Sequence, residues 1–129
     1  MEEMNTSFSA EELEFCISSL QLEIEDTEAA MRAASRSKEE RISATAYIRK
    51  LNQIQDEFLR ENNTFQSVDL LQTYKLVQKE RHYLNQILDR PDITGEQRQE
   101  AVRHLRTANS LLRKLKKIFQ SFGVDTSKL

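Results

Sequence analysis

Residues 94–124, TGEQRQEAVRHLRTANSLLRKLKKIFQSFGV, decide the fold. Ala101, Leu105, Ala108, Leu112, Leu115, Phe119 and Phe122 recur in alternating steps of four and three. That spacing lays one apolar stripe along an α-helix. Thr94 and Gln97 have the spacing of a capping box, in which each side chain satisfies the other residue's free backbone N–H. Gly123 stands where a Schellman turn needs a left-handed residue, with Val124 placed to touch Phe119. Lys114, Lys116 and Lys117 suit the negative pole at the helix end. A helix over 95–122 follows.

Three more helices emerge upstream. Pro91 and Gly95 form the strongest stop in the chain, because a helix seldom runs into the residue before a proline. Before it, Leu70, Tyr74, Val77, Leu84 and Leu88 form a seam that Arg81 interrupts, flanked by Leu76, Tyr83 and Ile87. This is the broadest apolar surface, so the helix over 65–89 should be the most buried. Asn62-Asn63-Thr64 marks the preceding break, with Asn63 or Thr64 available as a cap. Ala44, Tyr47, Leu51, Ile54 and Phe58, flanked by Ile48, place a helix over 38–61, capped by Ser37 with Glu40. Ser9 and Glu12 cap the first helix, over 10–34, with Phe8 and Leu13 as its hydrophobic staple. Its seam is Leu13, Ile17, Leu20, Ile24, Thr27, Met31 and Ala34. No glycine or proline enforces a turn near residues 35–37, so one long bent helix is the alternative there.

Equal lengths and short connections favour a single all-α domain over 1–129, an antiparallel up-down-up-down four-helix bundle with frayed ends at 1–7 and 124–129. The alternative is two long helical hairpins that complete their core as a homodimer.

Composition agrees. The chain of 129 residues has 2 glycines and 1 proline, too few for a turn-rich β fold or a glycine-rich phosphate loop. There is no long apolar run for a membrane span and no signal-peptide pattern at the start, which points to a soluble, cytoplasmic protein. The net charge of -2 conceals an uneven distribution: residues 1–30 hold 9 acidic and no basic groups, whereas residues 91–129 hold 8 basic and 4 acidic ones.

Catalytic chemistry finds little support. Cys16, the single cysteine, lies at the edge of the first seam, and the chain offers only His82 and His104 as bases. Its reading is a small core-edge residue. Glu100 and His104 share a helix face, but the Glu-x-x-His pattern of a di-metal bundle fails, since Ala101 and Lys79 stand three residues before the histidines. His82 points away from its seam and is expected to be solvated. Glu23, Glu25, Asp26 and Glu28 lie mostly off the first seam, and exposed carboxylates are poor general acids at neutral pH. No enzyme, cofactor, metal or small-molecule substrate is expected.

Two surfaces remain. Phe15 and Leu22, seven apart, lie roughly opposite the Leu13 seam and are ringed by Glu11, Glu14, Glu25 and Ser18. An apolar pair with an acidic rim is the anatomy of a small docking site. On the last helix, Arg103, Arg106, Arg113, Lys114 and Lys117 fall within an arc of about 100°, with no acid between residues 103 and 117. Such a stripe attracts a polyanion or an acidic partner, or pairs with the chain's own acidic first helix. The leading expectation is a non-enzymatic interaction module (an adaptor, small regulator or inhibitor, or assembly factor) that docks another protein through the Phe15–Leu22 face. A nucleic-acid or polyanion-associated protein ranks second, because the stripe lacks interleaved aromatics and the pI is below 6. A structural coiled-coil subunit, including a homodimer, is the third reading. Caps and heptads single out no family.

Overall fold

The computed structural model describes residues 3–5, 7–32, 37–60 and 64–129. Four helices dominate it: α1 (Ala10–Met31), α2 (Lys38–Leu59), α3 (Ser67–Leu88) and α4 (Gly95–Ser121). Two three-residue strands, β1 (Glu3–Asn5) and β2 (Thr64–Gln66), and a closing 3-10 turn (Thr126–Lys128) complete it. The expected all-α four-helix bundle is the fold. None of the described helices is long and apolar enough to cross a membrane.

Local signals set the helix ends. Ser9 and Thr94 close full capping boxes with Glu12 and Gln97. Ser37 Oγ accepts from the Glu40 N–H at 3.1 Å. At the end of α4, the Gly123 N–H donates to Gln120 O and the Val124 N–H to Phe119 O, with Gly123 at φ 79°. That is the expected Schellman turn. The last turn foreseen for the first helix, at Ala33 and Ala34, lies outside the described residues. Gln55 of α2 bonds to Ile17 and Tyr47 to Glu23, so α2 runs antiparallel to α1. The single bent helix is thereby replaced by a hairpin.

The cap foreseen for α3 is corrected. Asn62 and Asn63 lie outside the described residues. Thr64 belongs to β2, which pairs antiparallel with β1 (Glu3 opposite Gln66, Asn5 opposite Thr64). The α3 N-cap is Gln66, with no side-chain cap bond. Phe65 explains the difference. Its ring is buried 4.6 Å from the ring of Phe58, so the chain enters the core in extended form before the helix begins. The tail expected to be frayed forms the 3-10 turn instead: Gln120 Nε2 donates to Thr126 Oγ1 at 3.1 Å, and Leu129 packs against the core.

All four helices feed one core, so a single chain completes it. Cys16, Leu20 and Ile24 meet Leu51, Ile54 and Phe58 from α2, Leu70, Tyr74 and Val77 from α3, and Leu111, Leu112, Leu115 and Phe119 from α4. The helices do not form a square. α1 packs along α2, α3 and α4, whereas α3 packs chiefly on α1 and α4. α2 reaches α3 through long polar side chains, with Lys50 Nζ 2.8 Å from buried Asp69 and Gln72 Nε2 3.1 Å from Tyr47 Oη. As expected, α3 holds more buried residues than any other helix, but two of them are the polar Asp69 and Thr73.

Three neighbours turn α1 away from its expected seam. Its buried residues are Glu12, Cys16, Ser19, Leu20 and Ile24, while Leu13 and Ile17 are only half-buried. Cys16 therefore sits at the core centre rather than at its edge. This rotation gives a direct test. Leu20→Ala should cost about 3 kcal/mol in urea unfolding, within the range for a buried leucine, and Leu13→Ala less than half as much. Equal losses would restore the Leu13 seam.

Candidate functional site

The acidic helix α1 is not a uniformly solvated face. Glu12, almost wholly buried, accepts the Ser9 N–H at 2.8 Å and Lys114 Nζ at 2.5 Å. Lys114 also donates to Ser7 O at 2.8 Å and lies 5.7 Å above the Phe8 ring, within cation–π range. This one lysine therefore joins α4 to the start of α1. Of the two outcomes open for the basic stripe, Lys114 takes the pairing with the acidic first helix and clamps α4 to α1. The half-buried carboxylate of Glu23 is a second junction. It accepts Tyr47 Oη and Lys79 Nζ, each at 2.8 Å, and so links α1 to α2 and α3. The expectation of a solvated Glu23 is corrected, because α3 lies against that side of α1.

The rest of the stripe stays open. Arg103, Arg106, Arg113 and Lys117 are exposed and form no ion pair with any described residue. Among the described residues, Lys114 is thus the one member of the stripe in an ion pair with α1.

The second apolar stripe of α1 finds a partial home. Phe15 is half-buried against the core, whereas Leu22 keeps 43% of its surface exposed. Both line a cleft of about 400 Å³ between α1 and α4, walled by Glu11 and Glu14 on one side and Arg103, His104 and Thr107 on the other. Leu22 also opens into a cleft of about 300 Å³ between α1 and α3, beside Leu76, Lys79 and Tyr83. A third, of about 500 Å³, continues between α3 and α4 past Tyr83, Leu84, Ile87 and Ala101. Glu80 of α3 borders all three, so they form one forked groove. Glu11, Glu14, Phe15 and Leu22 are thus brought together, joined by Arg103 from the other proposed surface. Glu25 is exposed and lines none of the three.

Sequence reasoning missed Glu80, Ser19 and Tyr83. The Leu76, Tyr83 and Ile87 row was visible as a flank, but its place against α1 required the helix order in space. Ser19 is 4% exposed and lines two of the clefts, yet its hydroxyl has no hydrogen-bond partner.

Burial raises the Glu80 carboxyl above its ordinary value, the nearby Asp26 charge adds to this, and His104 and Lys79 partly oppose it. Burial likewise pushes up the Cys16 thiol, aided by the Glu12 charge, so the thiolate needed for nucleophilic attack is disfavoured. Glu100 and His104 share the third cleft. Among the described residues no group of three or more His, Cys, Asp or Glu side chains could hold a metal ion. The fold and groove define a small helical bundle with a mixed-charge, apolar-floored surface groove. Comparison of the chain with family models, with curated proteins and with solved structures finds no match.

Glu12 gives a pH prediction. Burial raises its carboxyl, but the Lys114 bond and charge and the Ser9 contacts outweigh burial and hold it below the ordinary value. A depressed folded value means that Glu12 stabilises the fold above the ordinary carboxylate range and loses that contribution as pH falls through the folded value. Glu12→Gln, which keeps the cap, should lower stability by about 1–2 kcal/mol at pH 7 and converge on wild type in acid. Parallel pH profiles for the two proteins would contradict this.

Proposed function

We propose that this protein is a non-enzymatic protein–protein interaction module that docks a partner in the forked groove, with Phe15 and Leu22 on its floor and Glu11 and Glu14 on its rim. The single observation that supports this most is the exposed apolar line that α1 and α3 share. Leu22 and Tyr83, 43% and 48% exposed, border the same cleft although a full core lies just beneath them. Apolar side chains on a groove floor, edged by charge, have the anatomy of a docking interface. An adaptor, a small regulator or inhibitor, or an assembly factor would use such a surface, and an intracellular setting fits the reading.

A second reading rests on a different observation. Arg103, Arg106, Arg113 and Lys117 form no ion pair with any described residue, and a nucleic acid or another polyanion would neutralise them.

The two readings separate cleanly. Phe15 supports the core, so Leu22→Asp with Tyr83→Asp is the better test of docking. Circular dichroism should be unchanged, and recovery of the native-cell partner in affinity purification should fall at least about tenfold, as for loss of a central interface contact. Full recovery of the same partner would refute the groove. Salt-sensitive DNA or RNA retardation, lost in Arg103→Glu with Arg106→Glu, would favour the second reading.

A further inference from the structure

Glu80 is the one side chain common to all three clefts, which also hold Lys79, Arg103 and His104. Lys79 is engaged by Glu23 at 2.8 Å. His104 attracts Glu80 electrostatically but does not bond to it, and Asp26 repels it. Glu80 forms no ion pair or hydrogen bond with any described residue. Below the adjoining clefts lies the Ser19 hydroxyl, more than nine-tenths buried and without a partner. A buried hydroxyl of this kind keeps an unmet bonding capacity. Glu80 included, seven carboxylates line the three clefts against three permanently charged basic side chains. An apolar floor, an unpaired acid at the fork and an acidic lining together specify the chemistry of the occupant.

We infer that the groove receives a helical segment of a partner protein through an arginine side chain, which crosses Leu22 and ends on Glu80. Arginine fits better than lysine. Its planar guanidinium offers a fixed fork of donors that can serve both oxygens of one carboxylate, and its stem and π face suit a floor of Phe15, Leu22 and Tyr83. Apolar neighbours one helical turn before and after the arginine would fill the arms beside Leu76 and Ile87.

The inference rests on the groove being a docking site, and the test separates the two. Displayed libraries of 14-residue peptides are selected on the full chain and depleted on the Leu22→Asp variant. The surviving peptides should carry one fixed arginine flanked by apolar residues at helical spacing. Replacing that arginine by citrulline in the best peptide should weaken binding at least about tenfold. Glu80→Gln should cost a similar factor, with no further loss when both changes are combined. Peptides that survive depletion but lack arginine, or bind Glu80→Gln as tightly as wild type, would overturn the anchor and leave the groove standing. Enrichment that Leu22→Asp does not abolish would overturn both. Self-association of the wild-type chain, removed by Glu80→Gln, would show a second copy to be the occupant and would also overturn the inference.

Discussion

The Glu12–Lys114 ion pair fixes how α1 lies in the bundle, and much of the rest depends on it. A carboxylate with side-chain exposure of only 5% needs several donors if it is to stay charged. The Ser9 backbone supplies one through the capping box, and Lys114 supplies another from α4. With the start of α1 tied to α4, the Phe15 side of the helix faces α4 and the Ile17 side faces α2. Farther along, Glu23 joins α2 and α3 to the same helix. α1 thereby becomes the shared helix of the bundle.

That position accounts for the groove. One helix packed on three neighbours needs apolar residues around much of its circumference, and α1 has them in Leu13, Phe15, Ile17, Leu20, Leu22 and Ile24. Yet a helix is round, and neighbours on three sides leave clefts between them. Small Ser19 sits beneath the fork, where a larger side chain would fill the space. Glu80 and Leu22 stand at its edge. A polar residue beneath an open cleft adds little to the core.

Much of the architecture was legible in the sequence because caps and heptads are local. Ser9, Ser37, Thr94 and Gly123 set helix ends through atoms only a few residues away, and the α4 stripe matches its buried side except at half-buried Leu105, exposed Phe122 and the unforeseen Leu111. Non-local features were not legible. The β1–β2 pair joins residues some sixty positions apart through strands too short to show alternation. The α1 seam was displaced because periodicity reveals an apolar face but not how many neighbours share the helix. The Phe15–Leu22 pair was visible as a leftover stripe, whereas Glu80 and Ser19 gained their meaning only when α3 was placed beside α1. The basic stripe was visible too, but nothing local marked Lys114 as the member turned inward.

The account stands on α1 lying beside α3, with Leu22 and Leu76 on one groove floor. Methyl-labelled NMR of the free chain measures this directly. Nuclear Overhauser effects should join the methyls of Leu20 and Leu22 to those of Leu76 and Val77. If the Leu76 methyls instead report only neighbours on α2 and α4, and Leu22 reports none outside its own helix, α1 is not the shared helix and the groove does not exist.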